Sequence, residues 1–412
     1  MYLYIEVNAL FLYFCTLNKL LITHINTMNK GKFPINKFKS IETPFYYYDI
    51  DLLKKTIETI QNEIEDNSFH VHYALKANTN ERLLQEISKQ GFGADCVSGN
   101  EIIKAVENGF NPKQIVFAGV GKTDKEIEIA LEYDIFSFNV ESIPEMEAIN
   151  SLAEKRNKTA RIALRINPNV DANTHSYITT GLNENKFGLE EENLPQVLKL
   201  LPSLTSLELI GLHFHIGSQI TDLSSYKHLC TKINELQKYF DSKEMWLEHI
   251  NVGGGLGINY EKPNEYPIAD FSNYFKLFSS HLKLRKGQTL HFELGRSVTA
   301  QCGSLITRVT YLKEGVKKNF VIADAGMTDL IRPALYQAFH YIENLTSNKE
   351  PCIYDIVGPI CESSDIFVKD FQLNKTKRGD ILAIRSAGAY GEVMVSQYNC
   401  RNVAKSYFSD TI

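Results

Sequence analysis

The chain has 412 residues, of which 43% are hydrophobic and 23% charged, and its formal net charge is −5. The length allows two domains, or one barrel with an appendage, and the composition is that of an ordinary globular enzyme. There is no long basic run and no apolar stretch of membrane-spanning length, so we expect neither a nucleic-acid partner nor a membrane partner.

The seven cysteines are odd in number and form no CxxC pair. This pattern argues against a disulfide framework and against a zinc site. We therefore predict no metal and a reducing, cytoplasmic location.

Residues 1–27 differ from the rest of the chain, because they are rich in Leu, Tyr, Phe and Ile and have their first positive charge at Lys19. A secretory signal places positive charge before its apolar run and a small-residue cleavage site after it, and the flanks of residues 9–15 meet neither requirement. We expect a disordered or loosely docked extension, or a start site assigned too far upstream, with Met28 as the alternative start.

The next part of the chain alternates between helical and strand-like patterns. Apolar residues recur at helical spacing through residues 53–64, and Thr123 with Glu126 and Ser142 with Glu145 are typical of capping boxes at helix starts. Eight strands over about 240 residues predict a (β/α)8 barrel, with a doubly wound open sheet as the alternative. The predicted barrel strands are 71–76, 93–97, 115–118, 136–140, 161–166, 209–215, 247–252 and 289–293.

After Gly295 the long helical patterns stop, and a second, mostly antiparallel β-domain is predicted. The strand-like residues 45–48 are assigned to it as well. The predicted strands of this domain are 304–312, 319–323, 353–357 and 381–385. The predicted fold is therefore α/β + β, with an N-terminal segment (28–48), a (β/α)8 TIM barrel (49–294) and a β-domain (295–412).

Chemically distinctive residues fall at the ends of the predicted barrel strands, where parallel barrels collect catalytic groups. Lys76 ends the first strand. Poor hydration there is expected to lower its pKa and make it a nucleophile toward the aldehyde of pyridoxal 5'-phosphate. His213 and His215 end the sixth strand, with His215 nearer the mouth, and Glu293 and Arg296 close the eighth.

Each of these groups has a use around that cofactor and also an ordinary explanation. Gly253, Gly254 and Gly255 follow the seventh strand, and their N–H groups suit a phosphate, although a flexible turn explains them equally well. Arg296 suits a phosphate or a carboxylate. Glu293 suits a protonated pyridine nitrogen, unless it simply pairs with Arg296.

Three further motifs lie beyond the barrel. Cys361 and Glu362 follow Gly-Pro-Ile in a tight turn, and Tyr390 lies among small residues in Ala-Gly-Ala-Tyr-Gly. Arg332 and Tyr336 flank Pro-Ala-Leu. An ordinary turn or a solvated loop is the alternative explanation for each.

The joint order of these motifs resembles that of the diaminopimelate decarboxylases, a family of alanine-racemase-like, pyridoxal-phosphate-dependent enzymes. The resemblance runs from Phe33 to the C-terminus and leaves out residues 1–27. Its motifs lie at 73–78, 213–219, 253–257, 293–296, 358–365 and 387–391.

The resemblance implies a role for each residue. Lys76 resembles the lysine that carries the cofactor covalently, His215 the histidine that stacks on its ring, and Glu293 the partner of the ring nitrogen. The implied cofactor contacts are Lys76, His215, Ser218, Gly253, Gly254, Gly255, Glu293, Arg296 and Tyr390. The implied substrate contacts are Arg296, Arg332, Tyr336, Glu362 and Tyr390.

Cys361 resembles the catalytic cysteine, which this family supplies across a dimer interface. The resemblance therefore implies a homodimer with shared active sites and the decarboxylation of meso-2,6-diaminopimelate to L-lysine, the last step of lysine biosynthesis. Lys76, His215 and Cys361 are the implied catalytic residues. The far end of this amino-acid substrate carries a carboxylate for the arginines and an ammonium for Glu362.

Other functions remain as alternatives at this point. A decarboxylase of the same fold acting on ornithine, arginine, lysine or carboxynorspermidine is the nearest, and a racemase fits the motifs less well. A non-catalytic regulator is disfavoured by the joint presence of Lys76, Glu293 and Cys361.

Overall fold

A computed structural model describes residues 31–64, 68–170 and 186–412 of the chain. Eight parallel strands close into a barrel, in the order in which they occur along the chain. The predicted barrel is confirmed, and the open-sheet alternative is wrong. The expectation for residues 1–27 falls outside the described residues.

The barrel follows strand β1 (Phe45–Tyr48) and is preceded by helices α1 (Ile35–Phe38) and α2 (Ile50–Glu63). Its strands are β2 (Phe69–Ala74), β3 (Gly93–Cys96), β4 (Ile115–Phe117), β5 (Ser137–Val140), β6 (Ala160–Arg165), β7 (Leu207–His213), β8 (His249–Asn251) and β9 (Thr289–Leu294). The helices between them are α3 (Glu81–Ser88), α4 (Gly99–Glu107), α5 (Asp124–Tyr133), α6 (Ile143–Lys155), α7 (Leu194–Leu200), α8 (Ser224–Asp241) and α9 (Phe271–His281).

Local side-chain chemistry sets where the helices begin. At α5, Thr123 and Glu126 form the predicted capping box. At α6, Ser142 accepts a hydrogen bond from the Glu145 N–H, but the Glu145 carboxylate accepts from the Glu141 N–H and pairs with Lys122. The second predicted capping box is therefore only half formed, because a buried lysine and a neighbouring backbone group hold the glutamate.

The second unit is a sheet with strand order β12-β15-β10-β11-β13-β14. Strand β1 pairs antiparallel with β10 and parallel with β16, and β11 pairs parallel with β13. The remaining pairs are antiparallel, as predicted. The strands are β10 (Gly303–Glu314), β11 (Asn319–Ala323), β12 (Ile342–Asn344), β13 (Pro351–Val357), β14 (Ile366–Asn374), β15 (Ile381–Ile384) and β16 (Lys405–Phe408), with short helices α10 (Arg296–Thr299) and α11 (Arg332–Tyr336).

All four predicted strands of this sheet are present, and β12, β14 and β16 were missed. Strands β12 and β16 have only three and four residues, and β14 carries polar residues through its centre. Such segments leave little apolar alternation to detect. The predicted domain boundaries, at residues 48/49 and 294/295, remain predictions.

Four histidine rings cluster at the N-terminal end of the barrel. The ring of His291 lies 4.9 Å from His70, 5.0 Å from His72 and 4.9 Å from His249, measured between centroids, and Phe136 stacks on it. We call these four histidines the histidine floor. Within the described residues, no helix combines the length and apolarity needed to cross a membrane.

Candidate active site

A cavity of about 1340 Å³ opens at the C-terminal end of the barrel strands and extends to the second sheet. This is the end at which parallel barrels place their functional groups. The predicted site residues that line it are Lys76, His215, Ser218, Gly255, Glu293, Arg296, Arg332, Tyr336 and Tyr390. Nine residues far apart in sequence therefore share one cavity.

Lys76 lies in a 3-10 turn (Leu75–Ala77) just beyond β2, which ends at Ala74, two residues earlier than predicted. Its Nζ is 3.3 Å from Oδ2 of Asp95, and its side chain is 36% exposed, toward the cavity. Burial lowers the pKa of Lys76, but Asp95, Tyr390 and Glu293 together raise it by more. The pKa therefore lies above its ordinary value. The expected lowering of this pKa is wrong, because Asp95, Tyr390 and Glu293 together outweigh the poor hydration of the lysine.

Asp95 is the carboxylate that sequence reasoning missed. It lies within β3, one strand from Lys76, and its side chain is fully buried. Burial and the nearby Glu293 raise the pKa of Asp95 to about 6, against the lowering effect of Lys76. Its position near a barrel-strand end, the rule that selected Lys76 and Glu293, would have found it.

Glu293 lies inside the barrel at the end of β9 and does not pair with Arg296. Its carboxylate lies 3.1 Å from Nε2 of His213 and accepts hydrogen bonds from Asn251 at 2.8 Å and Asn139 at 3.2 Å. Burial alone would raise the pKa of Glu293, but His213 and Lys76 hold it below its ordinary value. A buried carboxylate kept ionised in this way is suited to face a protonated ring nitrogen.

His215 lies two residues beyond the end of β7, at the cavity wall. Its Nδ1 accepts a hydrogen bond of 3.3 Å from the N–H of Gly254. Burial, followed by the charges of Lys76 and Arg165, holds the pKa of His215 well below its ordinary value. A neutral imidazole, held by its backbone contact, thus lines the cavity.

The three glycines form a close-packed backbone between strands. A Cβ on Gly253 would lie 2.3 Å from the Phe214 carbonyl oxygen, and one on Gly254 would lie 1.9 Å from the Glu293 carbonyl oxygen. Gly255 has φ of +102°, which also favours glycine. The glycines are therefore required by the packing, and the next helix begins only at Phe271.

Two buried arginines meet at one phenol on the far side of the cavity. Nη1 of Arg296 donates to the Tyr260 hydroxyl at 2.7 Å, Nη1 of Arg332 donates to the same oxygen at 3.0 Å, and Nη2 of Arg296 donates to Ser218 at 2.9 Å. Arg296 also lies over the Tyr390 ring, 4.8 Å from its centroid. Neither guanidinium has a carboxylate partner among the described residues.

Cys361 and Glu362 do not line the cavity. Both are exposed: the Cys361 N–H donates to Asn399, and the Glu362 carboxylate accepts from the Tyr398 hydroxyl at 2.7 Å. The single chain therefore brings together the cavity residues but leaves this predicted pair on the surface.

The residues present fit pyridoxal phosphate. The cavity has a lysine at one wall, an ionised carboxylate in the barrel interior and a neutral histidine. Nε of Arg296 is buried without a partner in the described part of the chain, as expected of a cation built for an anionic ligand. The family model described as pyridoxal-dependent decarboxylase, pyridoxal binding domain, matches residues 50–300. Fold and cavity thus define a pyridoxal-phosphate-dependent decarboxylase.

Relatives narrow this class. The chain is 57% identical to diaminopimelate decarboxylase of Bacteroides thetaiotaomicron over 93% of its own length and 100% of that protein. It belongs to the diaminopimelate decarboxylase family. A solved structure of diaminopimelate decarboxylase from Helicobacter pylori complexed with L-lysine matches with a TM-score of 0.86 and 41% identity, covering 90% of this chain and 93% of the other.

A more distant structure shares the fold alone. Lysine/ornithine decarboxylase from Vibrio vulnificus, complexed with cadaverine, matches with a TM-score of 0.79 at 19% identity and covers 90% of this chain and 96% of the other. The barrel with its second sheet is thus common to decarboxylases of different substrates.

Proposed function

We propose that the protein decarboxylates meso-2,6-diaminopimelate to L-lysine and carbon dioxide, as the last step of lysine biosynthesis. The observation that carries the substrate assignment is the pair of buried arginines, Arg296 and Arg332, which lack a carboxylate partner among the described residues. The substrate keeps a carboxylate at its far end after the reaction, and this group would pair with them.

Bound pyridoxal phosphate supplies an electron sink for the electron pair that remains when carbon dioxide leaves. Lys76 would hold the cofactor, and its Nζ must first give up a proton that Asp95 stabilises. Glu293 would keep a proton on the ring nitrogen, and the neutral ring of His215 would form one wall. Ser218, Arg296, Tyr390 and the backbone of Gly253–Gly255 would complete the cofactor contacts.

We propose that Arg296, Arg332, Tyr336 and Tyr390 orient the far end of the substrate. Cys361 and Glu362 would reach the cavity from the second chain of a homodimer. Cys361 would donate a proton from Sγ after decarboxylation, and Glu362 would bind the substrate ammonium. Their exposure on the single chain supports this assignment, since neither is held in the cavity by its own chain. A cytoplasmic location accords with the cysteine pattern.

The test is carbon dioxide release from meso-diaminopimelate, its LL isomer, ornithine and lysine. We expect turnover of the meso isomer above the others, and none by Lys76→Ala. Borohydride treatment of the wild type should fix the cofactor on Lys76, as seen by peptide mass. Equal or faster turnover of ornithine would refute the substrate assignment.

A further inference from the structure

Tyr260 lies in the loop that joins β8 to α9 and is 9% exposed. No sequence motif predicted a role for it. Its hydroxyl oxygen accepts hydrogen bonds from both buried arginines, at 2.7 Å from Arg296 and 3.0 Å from Arg332. Two accepted bonds use both lone pairs of the phenol. The oxygen is therefore the point that sets the distance between the two cations.

The tyrosine ring contributes as well as the hydroxyl. The guanidinium of Arg332 lies over this ring, 4.9 Å from its centroid, and the ring of His340 meets it edge-on at 5.1 Å. Nε2 of His340 lies 2.9 Å from Nη1 of Arg332, while Nδ1 of His340 donates to the Arg385 carbonyl at 2.8 Å. His340 thus accepts from Arg332, so the arginine is fixed by an imidazole on one side and by Tyr260 on the other.

The hydroxyl hydrogen of Tyr260 is also available for a hydrogen bond. No hydrogen bond donated by Tyr260 is present among the described residues, and the residue lines the cavity. Burial raises the pKa of Tyr260, but Arg296 and Arg332 outweigh it and hold the pKa below its ordinary value. A phenol polarised in this way donates a strong hydrogen bond to an anion.

We propose that Tyr260 is a positioning and specificity-determining residue, which holds Arg296 and Arg332 at the spacing needed to bind the carboxylate at the far end of the substrate. This inference rests on the proposed function and extends it. A ligand with that carboxylate gains from the arrangement, whereas a diamine of the same length does not.

The probes are L-lysine and cadaverine, which differ only in the carboxylate, and their binding to the holoenzyme is measured by calorimetry. We expect Tyr260→Phe, which keeps the ring beneath Arg332, to weaken L-lysine binding by at least tenfold and to leave cadaverine binding within about twofold. The KM for diaminopimelate should rise by a similar factor, with kcat changed by less than about threefold. Tyr311→Phe, at an exposed tyrosine of β10, is the matched control and should equal wild type.

Unchanged L-lysine binding in Tyr260→Phe would overturn the proposal, and so would an equal loss for both probes, which indicates general damage to the cavity. Arg332→Lys keeps the charge but is one atom shorter and lacks the planar guanidinium over the Tyr260 ring, so it tests the same arrangement if Tyr260→Phe does not fold. Wild-type L-lysine affinity in Arg332→Lys would also overturn it. A wild-type enzyme that fails to decarboxylate diaminopimelate would refute the proposed function instead, so the two failures are distinguishable.

Discussion

At the scale of single residues, the charge of a side chain depends on neighbours that a sequence window does not contain. Lys76 was placed correctly at the cavity from its position after an apolar run, yet its pKa shifts in the direction opposite to expectation. Asp95, which belongs to the adjacent strand and lies 3.3 Å away, raises this pKa most, and Tyr390 and Glu293 add to its effect. Burial was predictable from the pattern, and the identity of the nearest charge was not.

Asp95→Asn should make Lys76 a better nucleophile at neutral pH. Removing the carboxylate removes the strongest influence that raises the lysine pKa, and each unit by which the pKa falls increases the neutral fraction roughly tenfold. Apo-protein mixed with pyridoxal phosphate should therefore capture it faster at pH 7, as followed by cofactor absorbance. Asp51→Asn, on the exposed face of α2, should match wild type. A slower capture by Asp95→Asn would contradict this account.

Gly254→Ala should destabilise the protein and reduce its cofactor content. The added Cβ would lie 1.9 Å from the Glu293 carbonyl oxygen, a backbone atom that cannot rotate away. Overpacking of this kind costs about 1–3 kcal/mol or more. Gly121→Ala is the control, because a Cβ there meets nothing within 4 Å although the residue lines the same cavity. Thermal denaturation and the amount of bound cofactor should distinguish Gly254→Ala from Gly121→Ala. Equal stability of the two variants would contradict the prediction and show that the loop moves to make room.

At the scale of elements, the barrel was predictable because each strand is a short apolar run and several of the helices between the strands carry start signals. All eight predicted strands occur within a few residues of their expected positions. Tyr260 and His340, in contrast, lie in loops, where no periodicity marks which side chains converge. Asn139 in β5 and Asn251 in β8 were also not predicted, because their hydrogen bonds to Glu293 depend on how the barrel strands are arranged in space.

The histidine floor should make the protein less stable in acid. Nε2 of His72 lies 2.7 Å from Nδ1 of His291 and its Nδ1 lies 3.0 Å from the Gln114 carbonyl oxygen, contacts that two neutral rings can satisfy together. Burial lowers the pKa of His72 to about 4 and that of His249 to about 3, below the ordinary value of unfolded histidine. The unfolded chain therefore binds more protons, and stability falls as the pH drops from about 6.5 to about 4.

Each such histidine contributes a slope of roughly 1.4 kcal/mol per pH unit within that window. The free energy of unfolding, measured by urea titration at several pH values, gives the slope directly. His72→Gln should flatten it, whereas His281→Gln, at an exposed histidine of α9, should leave it unchanged. If the free energy of unfolding of His72→Gln changed with pH as steeply as that of the wild type, the histidine floor would not be the cause of the acid sensitivity.

At the scale of the whole molecule, the exposed positions of Cys361 and Glu362 bear on assembly. If two chains share each site, mixing Lys76→Ala with Cys361→Ala should restore activity, because one site of each mixed dimer has both residues intact. Equal mixing after unfolding and refolding should recover about a quarter of the wild-type activity. The two variants refolded separately provide the baseline. No recovery in the mixture would argue that each chain completes its own site.

Two structural units, the barrel and the second sheet, contribute residues to the cavity. Lys76, His215 and Glu293 come from the barrel, whereas Arg332 and Tyr336 lie on the five-residue helix α11 of the second unit. Under the proposed function, Arg332 and Tyr336 contact only the substrate, whereas Arg296 and Tyr390 contact both the substrate and the cofactor. For enzyme engineering, this means that libraries confined to α11 vary proposed substrate contacts without changing a proposed cofactor contact.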